Sequence, residues 1–255
     1  MRLSSLVKSG ILAASLTVMA GSVQAQGSAV VAHDEWMTGN GTFNANEQQF
    51  VSNVLNFFGV SSGNALIYTN NSFLTGSQFL SFLSSAGLTV TVDASAASFS
   101  GYNVVIGGGN ATQNGSGLAS YVLGGGHVFY EGGTGNGGSA AEAAYSNTFL
   151  NALGLAFAPV YNGLGTVNTS TFSGQSPYGP ALFAGVPSVY ANNGNDILAS
   201  APVAGVTNQI FDDGNGNGVF GVATVTATPE PASLALLATG LFALVPVARR
   251  RMKKA

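Results

Sequence analysis

Lysine and arginine are confined to the two ends of this 255-residue chain. Arg2 and Lys8 lie near the start, a basic cluster occupies residues 249–254, and residues 26–228 contain neither residue type. Such a body cannot form Lys or Arg salt bridges, so its fold must be stabilised by apolar burial and by hydrogen bonds between other groups. Its solubility has to come mainly from Asn, Ser, Thr, Gln and backbone amides.

The same body carries nine of the ten acidic residues of the chain, because only Glu230 lies outside it. The net charge of −3 for the whole chain hides this imbalance. A body with nine acids, two histidines and no Lys or Arg has no cationic patch to neutralise phosphates, which disfavours nucleic acid as a partner. Any cation that the carboxylates need would have to come from solution.

The chain contains no cysteine. This excludes disulfides, thiolate nucleophiles and cysteine metal sites. A body of about two hundred residues is large enough to bury one hydrophobic core without such cross-links. We therefore predict a single acidic domain over residues 26–227.

Residues 1–25 have the pattern of a secretory signal peptide. Two basic residues precede an apolar segment from Ile11 to Ala20, and Val23-Gln24-Ala25 provides the small residues of a cleavage site. We expect signal peptidase to cut there, so that the exported protein begins at Gln26. An uncleaved membrane anchor is the alternative.

The last segment, residues 228–255, has three parts in a fixed order. Thr228-Pro229-Glu230-Pro231 is rigid, the apolar run 232–248 is just long enough to enter a bilayer as a helix, and the basic cluster stays on the cytoplasmic side. A single-span anchor that is never processed is one interpretation of this pattern.

The order of these parts resembles the PEP-CTERM sorting signal of exported Gram-negative proteins, also described as the ice-binding protein C-terminal motif. The residues that carry the resemblance are Pro229, Glu230, Pro231, Arg249, Arg250 and Arg251. The resemblance implies recognition by a membrane protease-transpeptidase of the exosortase type. It also implies a transient inner-membrane anchor, then a place at the cell surface or outside it, in an exopolysaccharide-rich matrix or biofilm.

Within the body, continuous apolar strands alternate with amphipathic helices. The predicted strands are 29–32, 65–68, 88–92, 102–106 and 127–130. Asn44 with Glu47, Thr75 with Gln78, and Ser139 with Glu142 have the spacing of capping boxes at helix starts. Continuous rather than alternating apolar strands indicate a sheet covered on both faces, so we predict a flavodoxin-like three-layer α/β sandwich.

The C-terminal part of the body, residues 155–226, is rich in Gly and Asn. It contains short β-type runs at 157–161, 186–190 and 219–225. We expect these runs to add loops and edge strands to the same sheet. No repeat of fixed length is present, which argues against a solenoid.

The order of segments in the body resembles class I glutamine amidotransferase-like domains. The resemblance rests on Tyr102 to Gly108, on Leu118 to Gly126, on His127 to Leu153 and on Leu182 to Val186. In that family the turn after the strand that corresponds to residues 127–130 presents a nucleophilic cysteine. Here the turn is Glu131-Gly132-Gly133-Thr134, so the resemblance implies a non-catalytic relative.

In such a sheet, ligands sit beyond the carboxyl ends of the strands. His33, Asp34 and Glu35 follow the first strand there, Thr69-Asn70-Asn71 follows the second, and Glu131 ends the fifth. These residues could form an acid–base site or a hard-cation site, or they could be solvated loop residues. His127 begins its strand and should lie at the opposite rim.

Asp213, Asn215 and Asn217 match the first positions of a calcium loop, with Asp212 as a further oxygen ligand. The twelfth position is Thr224 rather than glutamate, so the predicted calcium affinity is poor. A plain Asn/Gly hairpin turn is the alternative.

The sequence thus predicts an exported cell-surface or matrix protein with a structural or adhesive, non-catalytic role. A secreted hydrolase or carbohydrate-active enzyme that uses His33 and nearby carboxylates is the alternative.

Overall fold

Five short apolar strands form the parallel part of a central sheet. The computed structural model describes residues 27–110 and 113–226. Within them the parallel strands are β1 (Ser28–Ala32), β2 (Gly63–Tyr68), β3 (Leu88–Val92), β4 (Val104–Gly108) and β5 (His127–Glu131). The fourth strand lies two residues later than predicted, because it includes the glycines that follow Ile106.

Two antiparallel strands complete the sheet, β10 (Val206–Asp212) and β11 (Gly218–Val225). The strand order is β10-β11-β1-β5-β4-β2-β3. The chain runs outward from β2 to β3 and then returns past β2 to β4. The parallel strand order therefore reverses between β2 and β4, the place where ligands bind in open α/β sheets.

Helices cover both faces of this sheet. They are α1 (Ala45–Phe57), α2 (Ser77–Ser85), α3 (Gly115–Leu123), α4 (Ser139–Leu150) and α5 (Gly179–Leu182), with 3-10 turns at Glu35–Thr38 and Asn151–Leu153. Val30 and Ala32 of β1 face one apolar cluster, which includes residues of α1, α2 and α5. Ala29 and Val31 face the other, which includes residues of α3 and α4. The predicted three-layer α/β sandwich is confirmed.

The helix caps were predicted with mixed success. Asn44 and Glu47 form the expected capping box of α1. The predicted box of Thr75 with Gln78 is wrong, because Gly76 is the N-cap of α2 and the Thr75 hydroxyl donates to the Asn71 carbonyl.

The predicted box of Ser139 with Glu142 is also wrong. Gly138 is the N-cap of α4, and the Ser139 hydroxyl donates to the Pro159 carbonyl. Glu142 instead accepts hydrogen bonds from the preceding loop, as described below.

Residues 155–226 depart in part from the expectation of one shared sheet. β10 and β11 join the main sheet, but β6 (Leu155–Asn162) pairs with β9 (Gly194–Ala199), and β7 (Gly165–Asn168) pairs with β8 (Ser188–Ala191), in two separate two-stranded sheets. Leu155, Phe157 and Ile197 pack into the apolar cluster of α3 and α4. The first small sheet is therefore part of an outer layer.

No helix within residues 27–110 and 113–226 is long and apolar enough to span a membrane. The predicted signal peptide, the apolar helix 232–248 and the basic tail lie outside the described residues.

Candidate functional site

The carboxyl edge of β1 and β5 brings the predicted acid–base residues together. The parallel register places Ala32 opposite Glu131, so the residues that follow β1 lie beside the end of β5. The Glu35 amide donates to the Gly132 carbonyl at 2.9 Å and holds the two chain segments together. His33, Asp34, Glu35 and Glu131 are all buried, with exposed fractions of 0 to 2%.

Asp34 is an acceptor for backbone amides. Its side chain caps the 3-10 turn by accepting from the Trp36 amide at 3.3 Å. It also accepts from the amides of Asn192 and Asn193, the latter at 2.9 Å, and so fixes the turn between β8 and β9. Burial raises the pKa of Asp34, and these backbone hydrogen bonds oppose the rise.

Glu35 lies against Asp34 in the same interior. Burial raises the pKa of Glu35 to about 10, and the neighbouring negative charge and hydrogen bond of Asp34 contribute in the same direction. Glu35 is therefore a neutral carboxylic acid at pH 7. A Cβ atom at Gly133 would lie 2.6 Å from both Asp34 Oδ1 and Glu35 Oε2, so glycine leaves room for this pair.

Glu131 is fully buried at the end of β5, and burial raises its pKa well above the ordinary value. The Thr38 Oγ1 atom lies 2.8 Å from Glu131 Oε2 and 2.9 Å from the Glu35 carbonyl oxygen. The Thr38 hydroxyl is the donor to Glu131, and this hydrogen bond opposes the rise in pKa. Burial is the larger of the two effects and favours the protonated form of Glu131.

His33 lies beside a residue that the sequence analysis did not single out, Asp196. Its Nε2 atom is 3.3 Å from Asp196 Oδ1. Burial lowers the pKa of His33 to about 4, although the negative charge of Asp213 opposes the shift. At pH 7 the imidazole is therefore neutral, and the contact with Asp196 is not an ion pair.

Glu142 belongs to this edge as well, rather than to the helix cap that its spacing from Ser139 predicts. It is fully buried and accepts from the Thr134 amide at 3.0 Å, the Gly135 amide at 3.3 Å and the Tyr161 hydroxyl at 2.7 Å. Burial raises the pKa of Glu142, and these hydrogen bonds oppose the rise. Its role is to order the glycine-rich loop after β5.

Asn195 is a second residue that the sequence analysis missed. It is fully buried, and it joins three segments through the Gly133 amide at 3.3 Å, the Ser139 carbonyl at 3.3 Å and the Ala158 carbonyl at 2.8 Å. Its position after a glycine in β9 carries no local signal of this role. The edge is thus closed by hydrogen bonds between loops.

The predicted calcium loop is the hairpin turn between β10 and β11. Asp213 accepts from the amides of Asn215 at 2.8 Å and Asn217 at 3.2 Å, and also from both side-chain amides. Asp212 accepts from the amides of Gly214 and Gly216. Both carboxylate oxygens of Asp213 and Oδ1 of Asp212 are therefore engaged in closing the turn.

The segments that follow β2 and β4 are joined through Thr134, in the loop after β5. Asn71 donates to the Thr134 carbonyl at 3.4 Å, and the Thr134 hydroxyl donates to the Gly109 carbonyl at 2.6 Å. These contacts bridge the place where the strand order reverses. His127 lies at the other rim, as predicted, since it pairs with Ser28 at the start of β1.

The nine acids of the body fall into two groups. Five are buried, and burial raises the pKa of each: Asp34, Glu35, Glu47, Glu131 and Glu142. Four are partly exposed: Asp93, Asp196, Asp212 and Asp213. The described surface is therefore far less charged than the composition suggests, and consists mainly of neutral polar groups.

No group of three or more His, Asp or Glu side chains within residues 27–110 and 113–226 is arranged to hold a metal ion.

Comparison with known families places these features in a cellular setting. The PEP-CTERM protein-sorting motif matches residues 227–253, which confirms the resemblance of the tail. Comparison with curated proteins and with solved structures gave no match, and the amidotransferase-like resemblance of the body is not confirmed. The chain carries a PEP-CTERM sorting motif, which indicates sorting by an exosortase and export to the cell envelope or surface.

Proposed function

We propose that this chain is a non-catalytic structural component of the cell surface or the extracellular matrix. The observation that carries the proposal is the burial and bonding of the acidic side chains at the carboxyl edge of β1 and β5. Asp34 and Glu142 bind loop amides there, Glu131 accepts from Thr38, and Glu35 is a neutral acid beside Asp34. Asp34 and Glu142 thereby hold loops in place, and none of these four acids has an exposed fraction above 2%.

The neutral polar surface supports a role among hydrated polymers. Asn, Ser and Thr side chains and backbone amides can hydrogen-bond sugar hydroxyls, while four partly exposed acids and no described Lys or Arg leave little electrostatic attraction or repulsion. We infer that a neutral exopolysaccharide is the partner class. Signal peptidase and an exosortase-type protease-transpeptidase would act on the chain before it reaches this site.

The polysaccharide proposal predicts binding that does not depend on salt. Retention of the exported protein on its matrix polysaccharide should change little between about 10 mM and 1 M NaCl, a range over which exposed charges become fully screened. An anionic polysaccharide is the matched control. Loss of retention at high salt, or stronger retention on the anionic polymer, would contradict the proposal.

Sorting is tested at the C-terminus of the surface protein. Mass spectrometry should find molecules that lack Arg249 to Lys254 and end near Pro229-Glu230-Pro231. A surface protein that keeps the basic cluster would show that the tail is a permanent anchor.

A secreted hydrolase is the second candidate, and the contact of His33 with Asp196 favours it. A histidine next to a carboxylate can act as a general base. Turnover of any ester, amide or glycoside that is lost in both His33→Gln and Glu131→Gln, with folding retained, would support the hydrolase. We expect no such turnover.

A further inference from the structure

The two edges of the seven-stranded sheet are built differently. β10 has a register irregularity between Phe211 and Asp212, and it ends in an acidic turn. Bulges and charges of this kind protect an edge strand from pairing with other chains. β3, the opposite edge, has the sequence Leu88-Thr89-Val90-Thr91-Val92, with no charge and no proline, and its pairing with β2 is regular.

The outward-facing backbone groups of β3 follow from its register. The Asp93 amide donates to the Ile67 carbonyl of β2 at 3.1 Å. In a parallel ladder, alternate residues direct their amide and carbonyl groups to the same neighbour. Leu88, Val90 and Val92 therefore direct theirs away from the sheet, and no hydrogen bond from another described residue reaches them.

We propose that β3 pairs with β3 of a second copy of this chain, antiparallel and centred on Val90. In this register Val90 lies opposite Val90 of the second copy, and Leu88 lies opposite Val92. All the outward-facing residues then meet as hydrogen-bonded pairs. Thr89 lies opposite Thr91, a cross-strand pair that stabilises antiparallel sheets. The two sheets become one continuous sheet.

A second copy fits this edge because the register is complementary to itself. Val92, whose exposed fraction is 49%, becomes covered by Leu88 of the second copy. Asp93 lies opposite Gly87 rather than opposite another acid, so no like charges face each other. The edge therefore lacks the charge repulsion that would oppose association.

The helix beside this edge is also suited to a close approach. α2 packs on β3 and contains no charged residue. The hydroxyls of Ser84 and Ser85 donate to the carbonyls of Leu80 and Ser81 at 3.0 and 2.9 Å. Because these hydroxyls already donate within the helix, covering them would leave no hydroxyl without a hydrogen-bond acceptor.

The pairing should be weak and dependent on concentration. A five-residue edge buries less surface than the roughly 1,600 Å² of a standard stable interface. Crowding of copies at a cell surface would favour it by mass action. The inference does not depend on the proposed matrix role, since an enzyme with the same edge would pair in the same way.

Sedimentation equilibrium of the processed protein, from about 10 μM to about 1 mM, tests the pairing. We expect a reversible monomer–dimer equilibrium. Val92→Lys should raise the dissociation constant at least ~10-fold, because it places a charge at the interface. Val160→Lys is the matched control, because Val160 is an exposed strand valine on β6, 64% accessible, and should leave the equilibrium unchanged.

A single cysteine provides a second readout that does not depend on affinity, because the natural chain has none. Val90→Cys should form a covalent dimer under mild oxidation, whereas Val160→Cys should stay monomeric under the same conditions. Monomer throughout the concentration range, equal dimerisation of Val92→Lys, assemblies larger than two copies, or no preference of Val90→Cys for cross-linking would each overturn the proposal. Circular dichroism confirms that each variant is folded.

Discussion

Two acidic regions at the same rim of the sheet have carboxyl pKa values that are shifted in opposite directions. In the interior beyond β1 and β5, burial raises the pKa of Glu35 to about 10 and also raises that of Glu131. In the β10–β11 hairpin, partial burial alone would raise the pKa of Asp213, but hydrogen bonds from Asn217 and Asn215 outweigh it and lower the pKa to about 2.

The difference shows that carboxyl groups serve two purposes in a body without Lys or Arg. In the interior, Asp34 and Glu142 accept hydrogen bonds from loop amides, and burial favours the neutral form of Glu35 and Glu131. The exposed acids provide the surface charge. An interior carboxylate would ordinarily need a cationic partner. Here protonation and backbone amides take the place of that partner.

Removal of the Glu142 carboxylate should have the largest effect on the interior region. Glu142→Ala leaves two loop amides and the Tyr161 hydroxyl without their acceptor, and we expect a loss of roughly 3 kcal/mol in unfolding free energy. Glu142→Gln keeps one oxygen acceptor and should lose less. Urea denaturation at pH 7 measures both, and a loss below about 1 kcal/mol for the alanine variant would show that the loop does not depend on Glu142.

The pH dependence of stability should reveal the neutral interior acids. Above its ordinary pKa of 4.5 Glu35 is ionised in the unfolded chain, yet it stays protonated in the fold up to about pH 10. Its contribution to stability is fully present below pH 4.5 and declines as the pH rises, by about 1.4 kcal/mol per pH unit.

Glu35→Gln removes this contribution, so its stability should fall less steeply than that of the natural protein between pH 7 and pH 9. His33 does not affect this window, because its pKa is lowered from 6.5 to about 4 and its contribution is lost only as the pH falls through that range. Parallel slopes for the two proteins in urea denaturation would contradict a protonated Glu35.

Substitution in the β10–β11 hairpin should change the free energy of unfolding least. Asp213 is partly exposed, and Asp213→Asn keeps one oxygen acceptor, so we expect a change within about 0.5 kcal/mol. Because the turn occupies the carboxylate oxygens, calorimetric titration should show at most weak calcium binding, and the variant should abolish any heat. Tight calcium binding would restore the cation-site interpretation of this loop.

The sequence predicted the layers of the fold better than the contacts of the site. Continuous apolar runs such as Ala65 to Tyr68 specify buried parallel strands, and the Asn44–Glu47 spacing specified a true capping box. The same spacing at Ser139 and Glu142 was misleading, because a glutamate in the first helical turn can also reach the loop before the helix. Spacing alone does not distinguish a capping box from a glutamate that accepts from the preceding loop.

The site depends on partners that are distant in the chain. Asp34 binds the amide of Asn193, and His33 lies beside Asp196, although more than 150 residues separate the members of each pair. The pairing of β6 with β9 is likewise non-local, and neither strand contains a signal for its partner. His33, Asp34, Glu35 and Glu131 were predicted to share one edge, and the strand register brings them there.

Proton release on unfolding is the most direct test of whether the buried acids Glu35 and Glu131 are protonated in the fold. When the exported protein is unfolded by urea in weakly buffered solution at pH 7, Glu35 and Glu131 should each release a proton, and Glu35→Gln should release one proton fewer than the natural chain. Unfolding without proton release would mean that both carboxyl groups are already ionised in the fold, which would contradict their protonation at pH 7.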